Sequence, residues 1–185
     1  MRHRGFTLIE ILVTVFVIAM IAATVGLNLG DDPRFKHLAQ EGKRLKFYLE
    51  KASDEAVFQN LDLGFYATQT ELYPFEWALL KKAEEGNPEA EDEWGWRTFE
   101  SRHVKTYALP EYYRQTLSVD GQNARLEKTL PEKQEDIKPH FFMAASGEQQ
   151  VLAFEIEIEE LEAKSFVRGE GVGRFVTKME RYDAQ

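Results

Sequence analysis

The sequence predicts an α+β protein: one long N-terminal helix followed by a domain of antiparallel strands. Three observations carry this. From Ile11 to Gly30 the chain runs for twenty residues without a charge, enough for a helix to cross about 30 Å of hydrocarbon. From Phe35 to Ala56 apolar or small residues recur at spacings of three and four, the period of a helix with one buried face. Near the C-terminus Phe154, Ile156 and Ile158 alternate with Glu155 and Glu157, as in a sheet with one wet face.

At 185 residues the chain suits one globular domain plus an anchor. Hydrophobic residues make up 43% and charged residues 30%, with the longest apolar run confined to the first thirty positions. The net charge of −9 argues against broad nucleic-acid binding, which depends on Lys and Arg displacing counterions. The chain has no cysteine, which excludes a disulfide framework and thiol catalysis.

Arg2, His3 and Arg4 precede the apolar run, and Asp31 and Asp32 follow it. The positive-inside rule places the N-terminus in the cytoplasm and the residues after Asp31 across the membrane. A cleaved secretory signal has a shorter apolar core, and "IAATVG" is a weak cleavage match, so length favours a lasting anchor. Glu10 sits at the margin of this run. A carboxylate there must find a cation or reach back to the interface.

The stretch "RGFTLIE" resembles the processing site of class III prepilin signals, shared by type IV pilins and type II secretion pseudopilins. The match consists of a short basic leader, Gly5, Phe6, the Thr-Leu-Ile triplet and Glu10 before one apolar helix. The resemblance implies that a prepilin peptidase cuts between Gly5 and Phe6 and that the new Phe6 amine is N-methylated. It also implies that Glu10 pairs with the Phe6 amine of a neighbouring subunit. Such a pair lowers the desolvation cost of both charges.

Beyond the run, Phe35, Leu38, Gly42, Leu45, Leu49, Ala52 and Ala56 form one helical stripe, with Lys36, Glu41, Lys43, Arg44, Lys46, Glu50, Lys51, Asp54 and Glu55 between them. Asp32-Pro33 suits an N-cap followed by proline at the first helical position, with a break near 30–33. From about Gln59 the pattern turns to strands. "LGFYATQTELYPF" is aromatic and β-branched, "FEWALLKKAEEG" fits a short helix ending at Gly86, and "EEGNPEAEDE" reads as an acidic loop. "RTFES", "VKTYAL" and "RQTLSV" are strand candidates, and Asp120-Gly121 marks a tight turn into "NARLE". "HFFMA", "QVLAFEIEIEEL", "KSFVRG" and "GRFVTKM" complete the strands.

The soluble part resembles the H-type minor pseudopilins of type II secretion. The carrying segments are "ASDEAVFQNLDLGFYA", "GWRTFESRHVKTYALPE", and the C-terminal set Ser146-Gly147-Glu148, Phe154-Glu155 and Gly169, Gly171, Gly173 and Arg174. The resemblance implies a type IV pilin-like fold whose long helix, transmembrane in its first half, packs on an antiparallel domain of two small sheets. The expected division is a leader at 1–5, a transmembrane helix at 6–30, its amphipathic continuation at 31–58 and a periplasmic β-rich domain at 59–185. The implied partners are the other minor pseudopilins, the major pseudopilin, the prepilin peptidase and the inner membrane, with the secretin or a secreted substrate as further candidates.

Little in the sequence points to an enzyme. His3, His37, His103 and His140 are scattered, and no Gly-x-Ser-x-Gly, HExxH or phosphate-binding loop occurs; no catalytic residue and no cofactor is expected. "GEGVG" lies between strand-like segments and reads as a hairpin turn. The carboxylates of "EEGNPEAEDE" and "IEELE" lack calcium-loop spacing, so no metal site is expected. Trp77, Trp94 and Trp96 fit either a core or a partner-facing role. A related group, the FimT-type minor pilins of DNA uptake, carries a basic Gly-Arg-x-Arg motif. Here Gly173-Arg174-Phe175-Val176 lacks the second arginine, and Glu170, Glu180 and Asp183 dilute the cluster of Arg168, Arg174, Lys178 and Arg181. Nucleic acid is therefore disfavoured as a partner. A type IV minor pilin for pilus priming or DNA uptake stays as the alternative to a secretion pseudopilin.

Overall fold

The computed structural model describes residue 9 and residues 11–18, 33–81, 92–133, 136–169 and 171–182. The chain divides into two compact units, residues 1–36 and 37–185. In the first, residues 11–18 are helical, and apolar side chains such as Ile11, Leu12 and Phe16 are exposed. No helix among the described residues is long and apolar enough to cross a membrane; of the run 11–30, residues 19–30 lie outside them. So does the break expected at 30–33, apart from Pro33.

Helix α1 spans Pro33–Gln59 and buries Leu38, Gly42, Leu45, Leu49, Ala52, Ser53 and Ala56. This is the stripe read from the sequence, except that Phe35 is only half-buried and Ser53 joins it. The helix ends in a Schellman motif. Asn60 takes a positive φ of 54°, its N–H bonds to Val57 O at 3.3 Å, and the Leu61 N–H bonds to Ala56 O at 2.9 Å.

Two antiparallel sheets follow. The first holds β1 (Leu63–Ala67), β2 (Glu71–Lys81), β3 (Glu93–Thr98), β4 (Tyr107–Ala108) and β7 (Phe141–Met143), ordered β3-β2-β1-β7, with β4 paired to the start of β2. The second holds β5 (Tyr113–Val119), β6 (Gln122–Asn123), β8 (Leu152–Ile158), β9 (Ala163–Gly169) and β10 (Phe175–Arg181), ordered β10-β9-β8-β5-β6. Aromatic packing joins the sheets: Phe65 stacks on Phe141 at 4.9 Å within the first, and Phe141 meets Phe154 of the second edge-on at 5.8 Å. The helix approaches β9 so closely that a Cβ on Gly42 would lie 2.0 Å from Ser165 Oγ.

One expected element is overturned. The helix read into "FEWALLKKAEEG" does not form in its described part: residues 82–86 lie outside the described residues, and residues 75–81 belong to the continuous strand Glu71–Lys81. Its residues pair with β1 on one side and β3 on the other, Trp77 standing opposite Trp96 and Leu79 opposite Trp94. Packing across the ladder overrides the local helical preference of Ala-Leu-Leu-Lys-Lys. Similarly, the strand expected at "RTFES" begins earlier, at Glu93. Gly95 leaves room for Leu80, whose Cδ1 would lie 2.6 Å from a Cβ there.

Candidate functional site

The residues the sequence marks for processing and assembly, Gly5, Phe6 and Glu10, lie outside the described residues. So does most of the acidic segment 84–93; Glu93 opens β3. The described surface next most unusual for a soluble domain is the outward face of α1 near its C-terminal end. Phe58 is 89% exposed and Phe47 61% exposed, although large aromatic side chains normally seek cover. Lys51 lies between them, over the Phe47 ring at 5.7 Å and paired with Asp54 at 2.9 Å.

Two loops close in on this end of the helix. The turn between β7 and β8 is Ser146-Gly147-Glu148, closed by Ala144 N–H to Glu148 O at 2.8 Å and tied to the helix exit by Ala145 N–H to Asp62 Oδ1 at 2.9 Å. The β9–β10 hairpin is the glycine-rich segment, with positive φ at Gly171, Val172 and Gly173. Gly173 touches the helix: a Cβ there would stand 2.7 Å from Ser53 Oγ. Val172, held at the tip, is 78% exposed. Phe47, Val57, Phe58, Gly147 and Val172 line one open depression of about 970 Å³.

Further along the helix a polar network fastens the segment around β4. Tyr48 donates to Lys105 O at 2.7 Å, Tyr107 donates to Glu41 Oε2 at 3.3 Å, and Arg44 pairs with Glu41 at 3.1 Å while donating to Ala108 O. The Arg44 guanidinium also lies 4.7 Å over the Tyr107 ring. Burial pushes both phenols well above their ordinary range. They are structural donors rather than acid–base groups.

His140 is the one histidine with a structural role visible in the described residues. Its Nδ1 accepts the Ala67 N–H at 3.1 Å, and its ring lies 4.6 Å from Tyr66. Burial holds its pKa below the ordinary histidine value, partly opposed by a backbone hydrogen bond to Arg125. The buried polar side chains Thr68 and Gln115 serve the backbone: Thr68 Oγ1 accepts from Glu71 N–H at 3.0 Å, and Gln115 Nε2 donates to Thr68 O at 2.9 Å. Among the described residues no group of three or more His, Asp or Glu is placed to hold a metal ion. Trp77 and Trp94 are about half exposed, while Trp96 is partly buried beside Tyr66, Phe75 and Ile137. In the basic cluster, Lys178 is spent on Glu180 at 2.8 Å. Neither the exposure of Phe47 and Phe58 nor the positive φ of Val172 was legible in the sequence; both need the fold.

The N-terminal motif, and the packing of one long helix on two antiparallel sheets, are both similar to those of pilin-like proteins. Residues 1–26 match the family described as "Prokaryotic N-terminal methylation motif". The fold is that of a minor pseudopilin: the crystal structure of EpsH from the type II secretion system of Vibrio cholerae superimposes with a TM-score of 0.53 at 14% identity, covering 81% of this chain and 98% of that one. By sequence the chain is similar to the type II secretion system protein H of Pseudomonas aeruginosa, 26% identical over 148 residues, which is 78% of this chain and 77% of the relative. The resemblance to H-type minor pseudopilins is thus borne out in motif, sequence and fold.

Proposed function

We propose that this chain is a non-enzymatic minor pseudopilin of a type II secretion system, supporting export of folded proteins across the outer membrane. The observation that carries the reading is the prepilin motif at Gly5–Glu10 heading a chain similar to protein H over most of its length. On this reading residues 1–5 are the leader, 6–30 the single membrane span, 31–58 the amphipathic spine and 59–185 the periplasmic domain. The N-terminus faces the cytoplasm, where prepilin peptidase cleaves after Gly5 and the Phe6 amine is methylated. Glu10 then neutralises the Phe6 amine of a neighbouring subunit and sets the stagger of assembly. The chain joins the other minor pseudopilins and the major one near the pseudopilus tip.

Deletion of the gene in its host, with complementation, tests this. Exported enzymes would be measured in medium and periplasm beside twitching and transformation. Periplasmic retention of exported enzymes with normal motility and DNA uptake is the expected result. Normal secretion with lost twitching or transformation would assign the chain to a type IV pilus instead.

A further inference from the structure

We propose that His140 is an acid-sensitive latch: protonation of its imidazole loosens β7 on β1 and opens the seam between the two sheets there, with the rest of the domain folded. The latch belongs to the domain itself and holds whether or not the chain serves secretion. His140 stands one residue before β7, where the ladder to β1 runs out after three pairs, Leu63↔Met143, Gly64↔Phe142 and Phe65↔Phe141. Its own N–H still reaches Phe65 O at 2.8 Å. The next donor, the Ala67 N–H, meets the ring instead of a carbonyl, 3.1 Å from Nδ1. The imidazole takes the place of a further ladder acceptor.

The ring also ties in the second sheet. Its hydrogen bond to the Arg125 backbone favours the charged ring, so the ring is the donor. With Nδ1 accepting, that donor is Nε2–H, and the neutral tautomer is fixed from both sides. Arg125 lies in the segment that leaves β6 and crosses to the first sheet. There the Ala124 N–H bonds to Leu117 O at 2.8 Å, and the Gln69 N–H to Glu127 O at 3.0 Å. A second tie runs beside it. Gln150 Oε1 accepts the Phe142 N–H at 3.1 Å, and Gln150 Nε2 donates to Asp120 Oδ2 at 3.3 Å. β7 is thereby fastened to the turn between β5 and β6.

One proton acts on both ties. An imidazolium turns a second N–H toward the Ala67 N–H, donor against donor, and leaves that amide without an acceptor. Burial disfavours the charged ring where it stands. The same ring lines an open depression of about 360 Å³ with Asp120, Gln122, Asn123 and Gln150. The groups around it decide where it goes. Tyr66, 4.6 Å away, is a phenol that burial keeps neutral. Arg125 and Glu127 pair with each other at 3.2 Å, and Lys138 is exposed to water. Asp120 is the carboxylate among the lining residues, and an imidazolium that turns out of its slot finds its counter-charge there. That draws Asp120 away from Gln150 and releases the Phe142 N–H. The latch is closed above the ordinary histidine range and opens as pH falls below it, because the released ring binds its proton more tightly than the buried one.

Amide hydrogen exchange on the full-length chain in detergent micelles, between pH 7.5 and 5.5, tests this. Corrected for the intrinsic rate, exchange at Ala67 and Phe142 should rise as pH falls below about 6.5, by up to about tenfold per pH unit. Leu49 in α1 and Phe154 in β8 should not follow. His140→Gln keeps an acceptor for Ala67 and cannot titrate, so its profile should be flat. Asp120→Asn keeps a side-chain carbonyl for the Val151 N–H but removes the counter-charge, and should lower the midpoint. Three outcomes would overturn the latch: acceleration that spreads equally to Leu49 and Phe154, an acid response that persists in His140→Gln, or an Asp120→Asn midpoint equal to the parent's. Should His140→Gln fail to fold, the parent decides alone. Its His140 ring titration and Phe142 exchange must share one midpoint, and a ring that titrates with no change at Phe142 ends the proposal.

Discussion

Gly42 owes its identity to Ser165, whose Oγ occupies the place a side chain would need. Gly42→Ala is expected to lower stability by about 1–3 kcal/mol through overpacking, despite the ~1 kcal/mol that alanine gains over glycine as a helix former. Urea unfolding of the detergent-solubilised chain reads this. Gly42→Ala combined with Ser165→Gly should recover most of the loss; equal instability of single and double variants would rule out the contact as the cause. His140 makes a second prediction at this scale. Its folded pKa is depressed below 6.5, so the unfolded state binds its proton first as pH falls. Its stabilising contribution is complete above about pH 6.5 and is lost as pH drops below that value towards the folded pKa. Burial penalises the charged imidazolium, and a protonated Nδ1 can no longer accept the Ala67 N–H. Melting temperature between pH 7.5 and 5 should fall in the parent. His140→Phe should flatten that part of the profile while costing about 1 kcal/mol at neutral pH for the lost hydrogen bond.

Elements formed by one strong period were legible; those formed by partners were not. The α1 stripe and the alternation of β8 were read directly, and the wet face of β8 is used as expected: Lys164 bridges Glu155 and Glu157 at 3.2 and 3.3 Å. The Asp120-Gly121 turn is present too, both residues having positive φ, and Asp120 Oδ1 accepts the Val151 N–H at 3.0 Å. β2 is not legible in the sequence because "WALLK" suits a helix locally, and only its two flanking strands make it a strand. Gly64 has a similarly non-local cause: Trp96 and Pro139 both come within 2.7 Å of where its Cβ would be. The exposed outward face of α1 stayed hidden because exposure is a property of the fold. Phe47 and Phe58 in sequence look like any core aromatics. The β9–β10 hairpin holds Val172 at its tip in a left-handed backbone state. Val172→Gly removes a β-branched side chain from positive φ, relieving strain of about 1–3 kcal/mol against a glycine entropy cost of roughly 0.5–1 kcal/mol. The variant should be as stable as the parent or slightly more so in urea. A destabilised Val172→Gly chain would show that the tip conformation is not strained.

At the scale of the whole molecule, the chain joins an acidic body to an apolar N-terminal run with one carboxylate at its margin. The leader cations Arg2 and Arg4 are removed if the chain is cut after Gly5. From Phe6 to Pro33 the cleaved chain then has no basic side chain, so its new terminal amine is the cation nearest in sequence to Glu10. Glu10 lies four positions after that amine, and a neighbouring subunit shifted along the axis can bring its own amine to the same level. If that pair is what admits a subunit, Glu10→Gln should leave membrane insertion and the five-residue cleavage unchanged. Losing one partner of a desolvated pair costs about 3–5 kcal/mol, so incorporation should fall by at least about tenfold. The measurement is a comparison of leader loss on gels with recovery of the chain in sheared or cross-linked pseudopili. A Glu10→Gln chain that is cut and incorporated as the parent is would mean that Glu10 rests among the headgroups and that assembly depends on the periplasmic surfaces alone. A chain that is not cut would place Glu10 in recognition by the peptidase instead. Normal cleavage with lost incorporation is the outcome that ties the electrostatics of one residue to the register of the filament.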